Sequence, residues 1–284
     1  MTTTVTITGT GTPEVRPERA GAGALVRSGE VALQIDAGRG TVMRLAGAGQ
    51  PLTELDALFV THHHSDHIVG IPDLVMTRWL DDVQRLGQLD LPIYAPDGEA
   101  ASIIEAMLDV WQNEIAMRQT HTRRPNRPKM DVRRFSASKT EPVRIARFGK
   151  VTVTAIAVDH DPVVPAVGYR IDTPDGSLVI SGDTTVCRQI AELSRDVDVL
   201  VHEAIRAEGL VDVVSDPEAL LAYHSECLQL GNMAQRAGVK QLILTHLVPS
   251  PDTADEMAAF EDDVRLGGYR GSVVVADDLT TVQF

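Results

Sequence analysis

Five short apolar segments of the chain each end at a side chain that can bind a metal ion or transfer a proton. Each segment is rich in aliphatic and β-branched residues, as expected for a buried strand. The side chains that follow are those of His62–His67, Asp159–His160, Asp183, His202–Glu203 and His246. Because the carboxyl ends of strands in a layered α/β sheet open onto one crevice, we expect these side chains to lie together. The pattern therefore predicts an α/β fold with a polar site at one sheet edge.

Predicted strands alternate with amphipathic helices along all 284 residues. The segments 71–86, 99–114, 186–195, 225–237 and 251–264 are predicted to be helices; in the first, apolar residues recur every three to four positions and so share one face. Such interleaving favours a layered α/β domain. No stretch rich in Pro, Gly or Ser divides the sequence, so we predict a single domain spanning residues 1–284.

Basic charge is concentrated between Arg118 and Lys150, which hold eleven basic and two acidic residues. This part carries +9 and the remainder −23, within a net charge of −14. The stretch from about 111 to 142 contains three prolines and little apolar periodicity. We therefore expect it to leave the core as an arm, a lid or a subunit contact. A subunit contact or small-molecule lid is favoured over RNA binding, because the basic segment can pair with the acidic remainder of the chain across a subunit contact.

Composition narrows the class of protein further. A hydrophobic content of 43% excludes a disordered chain, and no run of about 18 apolar residues is present to span a membrane. Cys187 and Cys227 cannot build a disulfide framework and lack the spacing of a thiolate metal site. The N-terminus also lacks the basic and apolar regions of a signal peptide. We expect a cytoplasmic protein that does not bind membranes.

The most specific motif is the segment Thr61-His62-His63-His64-Ser65-Asp66-His67, with H-x-H-x-D-H spacing. Residues two apart share a side of an extended chain, so His62 and His64 can bind one ion while His63 points away. Asp66 and His67 can bind a second ion nearby. Zn²⁺ favours imidazoles with one carboxylate, although Mn²⁺ or Fe²⁺ can use the same donors.

These motifs resemble the metallo-β-lactamase superfamily and, within it, the ribonuclease Z-like branch. The matching segments are Thr8-Gly9-Thr10-Gly11, Ile35-Asp36-Ala37-Gly38, the His62 motif, His160 ahead of Gly168-Tyr169-Arg170-Ile171, Ser181-Gly182-Asp183-Thr184, His202-Glu203-Ala204, His224-Ser225 and Leu244-Thr245-His246. The resemblance covers nearly the whole chain. It implies a four-layer αβ/βα sandwich and a homodimer.

The resemblance also implies two zinc ions and a set of site residues. One zinc would be bound by His62, His64, His160 and Asp183, and the other by Asp66, His67, Asp183 and His246. The predicted catalytic residues are Asp66, Glu203 and His224, with Glu203 and His224 as a proton-handling pair. The alternative for this pair is to orient a metal ligand from outside the coordination sphere.

The implied reaction is hydrolysis by a hydroxide that bridges the two ions. A small, anionic phosphodiester is the leading substrate; the alternatives are lactones, sulfate esters and other small carbonyl compounds. Bacterial tRNA-processing members carry a long tRNA-gripping arm after the glycine-tyrosine strand. Here Gly168–Ile171 runs through a tight turn directly into Leu178, which disfavours tRNA 3′ processing.

Two further classes are also disfavoured. Oxygen- or NO-reducing di-iron relatives replace the second histidine of the motif with glutamate, whereas His64 is intact. A non-catalytic RNA-binding descendant is disfavoured because every expected metal ligand is present.

Overall fold

Two mixed β-sheets, stacked face to face, form the centre of the protein. The structure is a computed structural model that describes residues 2–82 and 90–284. Its strands are β1 (Thr3–Gly9), β2 (Gly23–Ser28), β3 (Val31–Ile35), β4 (Ala57–Phe59), β5 (Pro92–Pro96), β6 (Asp131–Phe135), β7 (Val143–Phe148), β8 (Val151–Ala157), β9 (Val167–Asp172), β10 (Ser177–Ile180), β11 (Val199–Ile205), β12 (Gln241–Val248), β13 (Ser272–Val275) and β14 (Thr281–Gln283).

Helices connect these strands on both outer sides. They are α1 (Thr41–Gly47), α2 (Ser65–Ile68), α3 (Ile71–Asp81), α4 (Glu99–Ala106), α5 (Gln112–His121), α6 (Arg188–Leu193), α7 (Leu210–Val213), α8 (Pro217–Leu221), α9 (Cys227–Ala237) and α10 (Ala254–Leu266), with single 3-10 turns at Leu52–Glu54 and Asp109–Trp111. Among the described residues, no helix combines the length and apolar character needed to cross a membrane.

Each sheet has a parallel half and an antiparallel half. Within the described ranges, the strand orders are β14-β1-β2-β3-β4-β5-β6 and β13-β12-β11-β10-β9-β8-β7. Strands β3 to β6 pair in parallel, as do β10 to β13. The parallel halves direct the carboxyl ends of β4, β10, β11 and β12 toward one crevice, as the sequence pattern predicts.

Three apolar layers hold these elements together. Phe59 of β4 lies between the sheets, where its ring stacks on Tyr94 at 4.8 Å and meets Tyr169 edge-on at 5.6 Å. The outer face of the first sheet is covered by α1, α3 and α4, and that of the second by α6, α9 and α10. This arrangement confirms the predicted four-layer αβ/βα sandwich.

Strands β11 and β12 are longer than predicted, and this changes how they present the site. The sequence predicts that they end at Val201 and Leu244, whereas they continue to Ile205 and Val248. His246 is therefore inside a strand. It forms a bulge there, because Thr245 pairs with Glu203 and Leu247 with Ala204, leaving His246 between them with φ of 49°.

Two predicted helices differ from the observed ones. The helix predicted over 71–86 is α3, which ends at Asp81; residues 83–86 lie outside the described residues. The helix predicted over 99–114 is interrupted by the turn at Asp109–Trp111 and resumes as α5. The predicted helices over 186–195, 225–237 and 251–264 correspond to α6, α9 and α10.

The segment of about 111–142 does not leave the core throughout, contrary to expectation. It contributes α5 and also β6, which pairs in parallel with β5 at the edge of the first sheet. The basic side chains of this region are partly neutralised within the chain. Arg134 binds Asp97 and Glu105, and the other ion pairs are Arg118–Glu114, Lys129–Asp90, Arg133–Asp131 and Lys139–Asp159. Five of the eleven basic side chains between Arg118 and Lys150 are thus paired, so part of the +9 of the sequence is offset by acidic neighbours.

Candidate metal centre

Two clusters of potential metal ligands meet at the crevice between the sheets. The first contains His62, His64, His160 and Asp183, and the second contains Asp66, His67 and His246; within each cluster the ligand atoms lie within 4.8 Å of one another. All seven side chains are buried except that of His64, which is partly exposed. The structure thus brings together side chains from four separate segments.

Asp183 lies between the two clusters. Its Oδ2 is 3.8 Å from Nε2 of His62 and 4.0 Å from Nε2 of His160, both in the first cluster. Nε2 of His67 and of His246, in the second cluster, lie 3.3 and 3.6 Å from its carboxylate oxygens. One carboxylate is therefore positioned to serve two ions at once.

Asp66 completes the second cluster. Its Oδ2 is 3.2 Å from Nε2 of His246 and 3.7 Å from Nε2 of His67. The short helix α2 carries both Asp66 and His67, while the bulge in β12 turns the His246 ring toward them. A bulge of this kind re-aims a side chain that a regular strand would direct elsewhere.

Glu203 and His224 form a buried pair beside the clusters. Nδ1 of His224 lies 2.9 Å from both carboxylate oxygens of Glu203, and Oε1 of Glu203 also accepts a hydrogen bond from the Thr184 backbone N–H at 2.8 Å. A ring nitrogen of His224 is within 4.8 Å of ligand atoms of Asp183 and His246. His224 therefore borders the centre with its orientation fixed by Glu203.

The carboxylate of Asp36 orients His67 by binding Nδ1, the ring nitrogen that does not face the ligand cluster. Its Oδ2 accepts hydrogen bonds from Nδ1 of His67 and from the Thr61 hydroxyl, both at 2.8 Å, and its Oδ1 accepts one from the Thr61 backbone N–H. Asp36 adopts φ of 54°, in the left-handed region that aspartate tolerates better than most residues. Gly38 allows α2 to pack closely against the turn after β3, because a Cβ at Gly38 would lie 2.1 Å from the Asp66 backbone oxygen.

Burial and the carboxylates set opposite pKa shifts among these histidines. Burial lowers the pKa of His62 well below its usual value, which favours the neutral ring that metals bind. Burial also opposes protonation of His67, but Asp183 and Asp36 outweigh it and raise its pKa well above the usual value. For His224, burial is outweighed by Glu203, and the pKa rises to about 9. Burial opposes ionisation of Asp183, but His246 and His67 hold its pKa well below its usual range.

The donor set fits divalent cations. Nε2 of His62 and of His67 are buried and have no hydrogen-bond partner among the described residues, although both point toward carboxylates of the centre. An unsatisfied buried nitrogen is costly unless a ligand completes it. Imidazole and carboxylate are the donors that Zn²⁺ prefers and that Mn²⁺ and Fe²⁺ also accept. These side chains are therefore positioned for metal binding.

A cleft of about 480 Å³ opens onto the clusters. His64, Asp66, Asp183, His224 and His246 form its floor. Its walls come from the β1–β2 loop, from α7 and α8, and from the residues that follow β12. The cleft therefore gives a small molecule access to the candidate ligands.

The residues singled out from the sequence converge on this point, and two neighbours were not singled out. Asp36 lies in a turn directly after β3, and a carboxylate directly after a strand is the signal shared by the other sites. Tyr223 precedes His224, and its backbone oxygen accepts a hydrogen bond from Nδ1 of His160 at 2.9 Å. His202, which lies beside Glu203 in β11, belongs to neither ligand cluster.

Replacing Asp36 with Asn should weaken metal binding without removing a ligand. The amide keeps the volume and tolerates the left-handed backbone, but it cannot accept hydrogen bonds from His67 and Thr61 as the carboxylate does. Loss of such an orienting partner typically lowers metal affinity by about 10- to 100-fold. The measurement is zinc affinity by competition with a chromogenic chelator, with Asp56→Asn as the control because Asp56 binds the Ala32 backbone N–H instead. Equal affinities for the two variants would contradict the orienting role.

Comparison with known proteins identifies the family. The model of the beta-lactamase superfamily domain matches residues 33–247, a range that contains every candidate ligand. The chain is 33% identical to the protein named Ribonuclease Z of Mycobacterium bovis (strain BCG / Pasteur 1173P2), covering 98% of this chain and 97% of that protein. It is 38% identical to the one of Mycobacterium sp. (strain KMS), covering 86% and 84%. The metallo-beta-lactamase fold protein YhfI from Bacillus subtilis has a TM-score of 0.73 at 23% identity, with 100% of both chains covered. The chain thus belongs to the metallo-β-lactamase superfamily and is one of its hydrolases.

Proposed function

We propose that the protein hydrolyses a small phosphodiester at a dinuclear metal centre. The observation that carries this proposal is the position of Asp183, whose carboxylate lies within 4.0 Å of imidazoles from both ligand clusters. A carboxylate shared in this way is suited to holding two ions side by side. The Glu203–His224 pair then lies where a leaving group can be protonated.

The proposed ligands follow from the two clusters. His62, His64, His160 and Asp183 would hold one ion, and Asp66, His67, Asp183 and His246 the other. When bound, such ions supply Lewis-acid polarisation of a phosphoryl oxygen and lower the pKa of water. We propose zinc for both positions, because the set is mainly imidazole with few carboxylates.

The charge of the ligands favours an anionic substrate. Asp66 and Asp183 offset only half of the charge of two divalent ions. The remaining positive charge would attract a phosphodiester and stabilise the additional negative charge of its transition state. Asp66 thereby contributes to catalysis through the second ion rather than by direct proton transfer.

His224 is the proposed proton donor. Its Nδ1 is engaged by Glu203, which leaves Nε2 to face the reacting group. Because its pKa is raised to about 9, the ring is protonated near neutral pH. It can then transfer the Nε2 proton to the departing oxygen, as a general acid does.

A ribonuclease activity is the second candidate. The relatives of 33–38% identity are named Ribonuclease Z, and cleavage of RNA breaks the same type of bond. The small substrate is favoured because β9 and β10 are joined by only four residues, 173–176. A gripping arm of the kind found in bacterial tRNA-processing members has no place there.

The oligomeric state, the domain organisation and the cellular location are also proposed. We propose a homodimer, which the resemblance implies, and a single domain over residues 1–284. We also propose a cytoplasmic location, which is supported by the free, buried thiols of Cys187 and Cys227.

Replacing Asp183 with Ala should abolish both metal binding and hydrolysis of bis(p-nitrophenyl) phosphate. The variant loses the one carboxylate that contacts both clusters. Metal content by mass spectrometry and p-nitrophenolate release report the two effects separately. Asp109→Ala, at an exposed carboxylate outside the clusters, is the matched control and should behave as the parent protein. A variant that kept two ions and full activity would refute the shared role of Asp183.

The reaction class is tested by a substrate panel with the zinc-loaded protein. The panel comprises bis(p-nitrophenyl) phosphate, a cyclic nucleotide, an aryl sulfate, a lactone and a precursor tRNA. We expect turnover of the first two. Cleavage confined to the lactone would overturn the proposed bond specificity, and preference for the tRNA would establish the second candidate.

Replacing His224 with Ala should lower kcat by about 100-fold or more while leaving metal content unchanged. The loss should be largest for diesters with poor leaving groups, because these depend most on protonation of the departing oxygen. The measurement is kcat across a series of substituted phenyl esters. His121→Ala, on the exposed side of α5, is the control. A loss of the same size for every leaving group would remove the general-acid role.

A further inference from the structure

Much of the wall of the cleft above the metal clusters is apolar, although Thr12, Glu14 and Ser250 also line it. Val213 and Val214 at the end of α7, Leu220 of α8 and Pro249 beyond β12 line it opposite the ligands. Val213 is 55% exposed, although it is an aliphatic residue in the immediate surroundings of a highly polar centre. Exposed apolar side chains that line a functional cleft indicate contact with an apolar ligand group.

No Lys or Arg side chain lines this cleft in the part of the chain that the structure describes. Two arginines that contact the β1–β2 loop are engaged with the protein. Arg39 donates to the backbone oxygens of Thr12, Pro13 and Glu14, and Arg16 forms ion pairs with Glu14 and Asp252. These contacts fix the wall formed by the β1–β2 loop. Both guanidinium groups are thus held by contacts within the protein.

From these two observations we infer that the cleft takes a compact diester whose non-leaving group is uncharged and apolar or aromatic. The metals would bind the single phosphate, while Val213 and Leu220 would contact the organic group. A polyanionic chain would place further phosphates against apolar walls with no cation to neutralise them. This inference rests on the proposed phosphodiester hydrolysis and specifies its substrate class.

The inference is tested with two diesters that share a leaving group. Bis(p-nitrophenyl) phosphate and methyl p-nitrophenyl phosphate both release p-nitrophenolate, so a difference in KM reports on the group that remains. Contact of the aryl group with the apolar walls should make the KM of the bis-aryl ester about tenfold lower. Val213→Asp should remove this preference. Val211→Asp, on the same short helix but 76% exposed and outside the cleft lining, should retain it.

Each outcome of this experiment supports or overturns the inference. Absence of hydrolysis with either ester in the zinc-loaded parent would defeat the proposed function itself. Hydrolysis with equal KM values, or with Val213→Asp and Val211→Asp behaving alike, would overturn the apolar contact alone. Stronger competition by an RNA oligonucleotide than by an equal concentration of the aryl ester would also overturn it.

Tyr223 carries a second, independent inference. The hydroxyls of the other tyrosines have partners: that of Tyr94 binds Arg133, and those of Tyr169 and Tyr269 donate to backbone oxygens. The Tyr223 hydroxyl has none among the described residues. Its ring packs 4.4 Å from that of His224 and 5.2 Å from that of His160, and the residue lines the cleft.

Resting on the proposed phosphodiester hydrolysis, we infer that the Tyr223 hydroxyl donates a hydrogen bond to a non-bridging phosphoryl oxygen of the substrate. A neutral donor beside a metal centre stabilises the negative charge that develops on such an oxygen. The assignment concerns substrate contact, whereas the Tyr223 backbone oxygen has the separate task of orienting His160.

Tyr223→Phe tests this role because it removes only the oxygen and keeps the ring against His224. A hydrogen bond to a charged group corresponds to a loss of about tenfold or more in kcat/KM. Metal content and melting temperature should not change. Tyr94→Phe, which removes a hydroxyl bound to Arg133, is the matched control and should keep parental kcat/KM.

Tyr223→Leu distinguishes the hydroxyl from the ring. If Phe and Leu both lower kcat/KM by a similar factor, the hydroxyl carries the effect. A parental rate for Tyr223→Phe together with a loss for Tyr223→Leu would assign the role to ring packing and overturn the proposed hydrogen bond.

Discussion

The carboxylate of Asp183 is the contact on which the site depends. Four imidazole nitrogens lie 3.3 to 4.0 Å from its oxygens, and they come from the segment after β4, helix α2, the segment after β8 and the bulge in β12. Burial alone would disfavour such a concentration of ionisable groups. The mixture of acidic and basic partners makes it tolerable, because each carboxylate faces a histidine. Divalent cations bound at the same point would satisfy the nitrogens that have no protein partner.

Unusual backbone conformations and one closely packed glycine allow the surrounding structure to form this arrangement. Asp36 and His246 both adopt a left-handed conformation, and the second forms a bulge in β12. Gly38 allows α2 to approach closely enough to bring Asp66 and His67 into the crevice. The histidines are in turn fixed from behind by Asp36, the Tyr223 backbone oxygen and Thr61. The histidines are therefore held by contacts within the protein, and the cleft opens onto them.

The distribution of charge separates the metal centre from the remainder of the surface. Five of the eleven basic side chains between Arg118 and Lys150 form ion pairs with acidic residues, such as Arg134 with Asp97 and Glu105. The cleft itself has largely apolar walls and no cationic side chain among its described lining. In the proposed reaction, recognition of a negative substrate would fall to the metal ions and their ligands, whereas the walls would contact the organic part.

By itself the sequence determined the layered α/β fold and the residues of the centre. Strand-forming segments followed by His, Asp or Glu require a shared sheet edge, and the H-x-H-x-D-H spacing requires a metal. The sequence did not predict the order of the strands or the pairing of β6 with β5. The basic segment has weak apolar periodicity, and its edge strand is stabilised by tertiary contacts. The ends of β11 and β12 were also misplaced, since alternation of polar and apolar residues breaks where Glu203 and His246 enter the site. Only the tertiary structure decided that Asp36 supports His67, that Tyr223 faces the cleft and that the walls are largely apolar. These features join residues far apart in the chain, and no local pattern records such contacts.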